Sequence, residues 1–262
     1  MRMRSGVRHF LLALQFFTRI PVTGRLALWV GYSPAMLQAS AAYFPAVGLL
    51  VGALGALVFG GALALWPATV AAVLCIVATV LLTGAFHEDG LADVADGLGG
   101  TAQRERALEI MKDSRIGAFG AIALVLALGL KAALLAALAA QGMAAACAAV
   151  VAAHALSRLM PLGIMRALPY VGGEGGKAKP MAEAVSLPAL GIALLWSLPA
   201  VALLAGSQGI GSGVAAVLAA VAITALMGWQ FRRRLGGFTG DCLGATQQIA
   251  ELAIYLALAA RV

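Results

Sequence analysis

This 262-residue sequence has little charge. Asp, Glu, Lys and Arg make up 11% of it, against about 25% in soluble domains. With 62% hydrophobic residues and a mean hydropathy of +0.97, that scarcity excludes a water-soluble globular domain. Cysteine is scarce as well. Cys75, Cys147 and Cys242 lie far apart, which excludes a disulfide framework and a paired-thiolate metal site. The long apolar runs do not alternate with polar residues, which excludes the strand pattern of a membrane β-barrel. Acidic residues are the rarest charges, eleven against eighteen Lys and Arg, for a net charge of +7. The basic residues sit between apolar runs and form no extended patch with interleaved aromatics, so no nucleic-acid partner is expected. Attraction to anionic lipid or to a substrate phosphate suits them better.

What is present is apolar length. Residues 26–86 and 184–231 contain no Asp, Glu, Lys or Arg, and residues 116–157 are interrupted only by Lys131 and His154. A hydrocarbon core of about 30 Å takes roughly 20 helical residues, so each stretch has room for two spans and residues 243–260 for one more. The expected fold is all-α: a polytopic membrane helical bundle of about seven spans, one domain over residues 1–262. Residues 10–17 are too short to span and no cleavage site follows them, so an interfacial helix is expected there, ended near Pro21. Hairpin turns near Trp66-Pro67, Gln141-Gly142 and residues 206–213 carry no Lys or Arg. All charged loops therefore share the face of the N-terminus, which the positive-inside rule makes cytoplasmic.

The acidic residues are gathered. Seven of the eleven fall between Glu88 and Asp113. Asp89, Asp93 and Asp96 are spaced i, i+4 and i+7, which puts three carboxylates on one helix face. Like charges so close call for a divalent cation, and hard oxygen donors without His pairs or Cys favour Mg²⁺ or Mn²⁺. A solvated acidic helix is the plainer alternative. Asp113, in Lys112-Asp113-Ser114-Arg115, either completes such a site or pairs with Lys112 or Arg115. Asp241 opens the last helix, where an N-cap is the plain reading and a second contribution to the site is the functional one.

Arg158 lies inside a span, one turn from His154; an intramembrane Arg marks a site or a pair, and its planar fork suits a phosphate. Lys131 is read as snorkelling from its span toward the interface. His87 is a candidate general base or a partner of Asp89. Acidic helix, basic groups and a cytoplasmic mouth together fit metal-assisted transfer of a phosphate-bearing group.

His87-Glu88-Asp89-Gly90-Leu91-Ala92-Asp93-Val94-Ala95-Asp96-Gly97, then Lys112-Asp113-Ser114-Arg115-Ile116-Gly117, then Thr239-Gly240-Asp241 with Gly244-Ala245, resemble the cobalamin synthase family. That family is also called adenosylcobinamide-GDP ribazoletransferase. The resemblance covers essentially the whole chain, Arg19-Ile20-Pro21 included. It implies a multi-pass enzyme of the bacterial inner membrane, active at the cytoplasmic face and dependent on Mg²⁺. Such an enzyme joins adenosylcobinamide-GDP to α-ribazole or its 5′-phosphate, giving adenosylcobalamin or its 5′-phosphate and GMP. By position, Asp89, Asp93 and Asp96 are the implied metal carboxylates. Glu88, Asp113 and Asp241 match acidic positions of the family; together with His87 they are the candidate catalytic residues, and Lys112, Arg115, His154 and Arg158 are the candidate substrate contacts. The lipid bilayer is a partner, and a homo-oligomer is left open. Pro169-Tyr170-Val171-Gly172 departs from the family, which often places a small residue and Arg after Pro-Tyr; Arg166 or Lys177 would have to substitute.

Two other functions compete. A CDP-alcohol phosphotransferase carries Asp-Gly-x-x-Ala-Arg and two further spaced aspartates, whereas Leu-Ala-Asp follows Asp89-Gly90 here. A divalent-cation transporter places its acids near the bilayer midplane, and these lie at the edge.

Overall fold

The computed structural model describes residues 2–173 and 185–260. Among them the chain is helical, with a single β-bridge between Tyr170 and Phe238. Lys177 lies outside the described residues.

Helix α1 (Arg2–Phe17) ends where Thr18 turns its hydroxyl onto the Leu14 carbonyl, 2.7 Å away. Two short helices follow, α2 (Gly24–Val30) and α3 (Pro34–Ser40). Arg8 Nε donates to the Val30 carbonyl at 2.8 Å and folds α2 back on α1. A 3₁₀ turn then joins α3 to α4 (Phe44–Leu63), so residues Pro34–Leu63 form one apolar segment.

Helix α5 (Ala68–Thr83) has 16 residues, about 24 Å of rise and short of the roughly 30 Å a span needs. It bends by 92° into α6 (Phe86–Gly100). The corner is Gly84-Ala85, both at positive φ, +68° and +57°. Arg19 explains the glycine: its guanidinium occupies the place of a Cβ at Gly84, and its backbone N–H donates to the Leu82 carbonyl at 2.7 Å.

After α7 (Arg104–Ile110) come the long helices α8 (Ala118–Ala139), α9 (Met143–Ala167), α10 (Leu187–Gln208), α11 (Ile210–Leu235) and α12 (Gly240–Ala259). Among the described residues six helices are long and apolar enough to cross a membrane, and the bent α5–α6 pair, counted as one broken span, would make seven. The expected all-α bundle of membrane helices is therefore observed, with six to seven candidate spans. Leu126, Leu195 and Leu218 are exposed, as side chains facing lipid are.

Helices α9 and α12 form the centre, and Ala149, Ala153, Leu162, Ala245 and Ile254 are fully or almost fully enclosed. Lipid is as apolar as a side chain, so helices in it associate through close packing. A Cβ on Gly52 of α4 would sit 2.7 Å from Val151 Cα, and one on Gly48 would sit 2.6 Å from Ala155 Cα. Hydrogen bonds tie each end of the bundle. Gln141 Nε2 reaches the Leu258 carbonyl at 3.1 Å at the turn end, and Arg104 Nε reaches the Leu235 carbonyl at 2.6 Å at the charged end.

Candidate active site

The site begins with α6. Its N-terminal turn starts at the Gly84-Ala85 corner, and Asp89 N–H closes onto the Ala85 carbonyl at 2.9 Å. Gly90 then faces α12: a Cβ there would lie 2.8 Å from the Asp241 carbonyl and 3.3 Å from Gly244 Cα. This close approach brings Asp241 across from Asp89 and Asp93. Gly97 does the same for α7, where a Cβ would meet Met111 at 2.8 Å.

A cavity of about 670 Å³ opens between these elements. Asp89, Asp93, Asp241, Lys112, Asp113 and Ser114 make its polar rim, and Phe16, Phe17, Phe44, Phe86 and His87 make an aromatic wall. Arg158 and Gln247 form its buried end, 2% and 1% exposed. Tyr170 closes another side, held by the hydrogen bonds Val171 N–H to Phe238 O and Phe238 N–H to Pro169 O, both 2.9 Å. Burial, and then the Asp241 carboxylate, push the Tyr170 phenol up from its ordinary value.

Of the expected site residues, His87, Asp89, Asp93, Lys112, Asp113, Arg158 and Asp241 line this cavity. Asp96 revises the expected carboxylate trio. Its Oδ2 accepts from Gly117 N–H at 2.7 Å and its Oδ1 from Gly120 N–H at 2.8 Å, which caps the start of α8. Three carboxylates over about two turns of one helix share a face only until a second helix end arrives, and here the start of α8 claims the third. No such backbone donors meet Asp89 or Asp93 among the described residues.

Glu88 lies outside the cavity lining, buried, with Oε1 accepting from Gln248 Nε2 at 2.9 Å. His87 stacks on Phe17, centroids 5.4 Å apart and 11° between planes, as part of the aromatic wall. Asp113 pairs with Arg115, whose NH2 lies 2.6 Å from Oδ2. Hydrogen bonds from Arg115 hold the Asp113 carboxyl down at about 2. That depression means the pair is intact above the ordinary carboxylate range and is lost as pH falls through about 2. Arg115→Met should accordingly move the Asp113 titration back toward 3.8, measured by NMR on carboxyl-labelled protein; an unmoved titration would refute the pairing. Arg115 itself lies outside the cavity, and Arg166 is turned onto the Val185 carbonyl at 3.1 Å.

His154 lies behind Arg158, its Nδ1 accepting from Arg158 NH1 at 3.1 Å, and is outside the cavity lining. Lys131 does not snorkel. It is 3% exposed, and its Nζ sits 3.0 Å from Glu251 Oε1 and 3.1 Å from Gln248 Oε1. Glu251, Gln247 and Gln248 were not foreseen as part of the site. A lone acid and a lone base inside two spans were the available signal, since each is costly in lipid without the other.

Acid at the rim and a guanidinium beneath it suit a substrate that carries phosphate into an anionic mouth with a cation. Among the described residues no three His, Cys, Asp or Glu are arranged as a metal cage. Mg²⁺ is commonly held by one or two carboxylates plus substrate phosphate oxygens, and Asp89, Asp93 and Asp241 around one cavity fit that mode.

Fold and cavity define a multi-pass membrane protein with a polar pocket entered at the charged end of its bundle. The family model described as cobalamin-5-phosphate synthase matches residues 9–259. An adenosylcobinamide-GDP ribazoletransferase of Albidiferax ferrireducens is 55% identical, over 98% of this chain and 99% of its own. Those of Ralstonia nicotianae and Vibrio cholerae are 48% and 44% identical, each over 98% of this chain and 97% and 95% of their own. No solved structure matches. The chain belongs to the cobalamin-5-phosphate synthase family.

Proposed function

We propose that this protein transfers the adenosylcobinamide-phosphate part of adenosylcobinamide-GDP to α-ribazole or its 5′-phosphate. The products are adenosylcobalamin or its 5′-phosphate, and GMP. The observation that carries this reading is the 55% and 54% identity, over nearly the whole chain, with proteins named for that reaction. The enzyme sits in the bacterial inner membrane with its cavity toward the cytoplasm, an orientation supported by the basic loops at the cavity end.

An acceptor hydroxyl attacks the cobinamide-side phosphorus, the bond to the GMP phosphate breaks, and the hydroxyl proton passes to a base. Asp89 and Asp93, with Asp241 opposite, are the residues that would hold Mg²⁺, which neutralises phosphate charge and supports the leaving group when bound. Asp113 is a weak proton acceptor, because Arg115 keeps its carboxyl at about 2. Arg158 offers the donor phosphate a fixed cation at the buried end, and Lys112 offers a mobile one at the rim. The aromatic wall of Phe16, Phe17, Phe86 and His87 gives the apolar parts of the substrates a surface away from water.

Purified protein in detergent should release GMP from adenosylcobinamide-GDP only when both Mg²⁺ and α-ribazole are present, and a chelator should stop it. Turnover of CDP-diacylglycerol without cobinamide turnover would overturn the reading, as would metal flux into vesicles without GMP release. Arg158→Lys should raise KM for adenosylcobinamide-GDP on the order of tenfold, because the planar fork is lost. An unchanged KM would remove Arg158 from phosphate binding.

A further inference from the structure

Beneath the cavity lies a charged network of which Arg158 reaches the cavity lining. Glu88 of α6, Lys131 of α8, Arg158 of α9 and Glu251 of α12 are 8%, 3%, 2% and 0% exposed. Two cations and two anions thus share one buried region, and their charges cancel. Their connections are specific. Lys131 Nζ contacts Glu251 Oε1 at 3.0 Å and donates to Gln248 Oε1 at 3.1 Å. Gln248 Nε2 donates to Glu88 Oε1 at 2.9 Å and to Gln247 Oε1 at 3.0 Å. Gln247 Nε2 donates to Glu251 Oε2 and to Ser157 Oγ, both at 2.9 Å.

His154 bridges to the cavity. Its Nδ1 accepts from Arg158 NH1, so its proton sits on Nε2, which faces Glu251 Oε1 at 3.6 Å. Arg158 NH1 is fixed again by the His154 carbonyl at 2.9 Å, while Arg158 Nε has no hydrogen-bond partner. The guanidinium is therefore anchored at one corner and unpaired at another, in a side chain that lines the cavity. A buried unpaired donor is costly unless a ligand meets it.

We infer that Lys131 and Glu251 are positioning residues which, through His154, hold Arg158 at the buried end of the cavity for the donor's phosphate. This rests on the reading of Arg158 as a phosphate contact. The Glu251 carboxylate faces His154 Nε2 at 3.6 Å and accepts from Gln247 Nε2 at 2.9 Å, while Lys131 Nζ pairs with it at 3.0 Å. Removing Glu251's charge leaves His154 and Gln247 without their anchor. Removing Lys131 leaves Glu251 to draw Arg158 away from the cavity. Removing both keeps the charges balanced but still leaves His154 and Gln247 without their anchor.

The test is steady-state kinetics on purified Glu251→Gln, Lys131→Met, the double variant and Arg158→Lys, with each substrate varied in turn. Each single change is expected to raise KM for adenosylcobinamide-GDP on the order of tenfold and to leave KM for α-ribazole unchanged. The double variant is expected to keep a donor KM no lower than that of Glu251→Gln, because His154 and Gln247 still lack their anchor. An unchanged donor KM in both singles, beside a raised one in Arg158→Lys, overturns the positioning role alone, as does a native donor KM in the double variant. Losses shared by both substrates overturn it as merely structural. An unchanged donor KM in Arg158→Lys overturns it together with the phosphate reading. His154→Phe breaks the bridge without changing charge and covers the case in which the charge variants do not assemble. It too should raise the donor KM, and an unchanged value there overturns the inference.

Discussion

Asp89→Asn and Asp93→Asn should each lower GMP release by about three orders of magnitude while the protein still inserts and purifies as a bundle. Both side chains line the cavity, and no backbone donor occupies either among the described residues. Neither carboxylate therefore holds the fold, and each loss falls on the metal and phosphate chemistry, for which several kcal/mol is an ordinary contribution. Calorimetric titration with Mg²⁺ should lose its heat in the same variants. Asp96→Asn separates the three positions. An amide has one acceptor oxygen where the carboxylate offers two, so one of Gly117 N–H and Gly120 N–H is abandoned at the head of α8. The expected result is a loss of about 1–2 kcal/mol in stability, with activity falling far less than in the other two. A loss in Asp96→Asn equal to that in Asp89→Asn, with unchanged thermal stability, would restore Asp96 to the metal site. Near-native activity in both Asp89→Asn and Asp93→Asn would remove the metal proposal.

Gly90→Val should cost on the order of 10²-fold in kcat/KM without touching any charged group. A Cβ at this position would stand 2.8 Å from the Asp241 carbonyl and 3.1 Å from Asp241 Cα, so α6 and α12 must separate. These helices carry the two halves of the carboxylate rim, and a shift of about 1 Å between reacting groups is enough for a loss of that size. The branched side chain of Val makes the wedge stiff, and overpacking of this kind also costs about 1–3 kcal/mol. Gly90→Ala should lie between the native protein and Val. Steady-state rates together with thermal unfolding in detergent check the series. Native activity in Gly90→Val would show that the α6–α12 spacing does not set the site.

Much of the site was legible in the sequence, for reasons particular residues make plain. The spacing of Asp89 and Asp93 is a local property of one helix, so their shared face did not depend on any neighbour. Arg158 stood out because a guanidinium in an apolar run needs a purpose. Asp96, in the same pattern, caps the N-terminus of α8, and only the approach of that helix decides which carboxylate does so. His154 was placed beside Arg158 correctly, but a helix turn does not say which of two neighbours faces the cavity. Lys131 was read alone and seemed to have a route to the interface. Its partner Gln248 is 117 residues away in the chain, and no local spacing relates them.

The sequence by itself determined that this protein is a bundle of membrane helices. A backbone in lipid must satisfy its own polar groups, and an apolar stretch of about 20 residues has essentially one way to do so. It also determined that the chemistry gathers at the charged end, since acids and bases are excluded from everywhere else without a partner. Only the tertiary structure decided which carboxylates remain available and what stands beneath them. Those outcomes depend on where two helix surfaces meet: Gly90 against Asp241, Asp96 against Gly117 and Gly120, and Lys131 against Glu251. Each is a contact between distant segments, set by close packing and by the cost of leaving a buried charge alone.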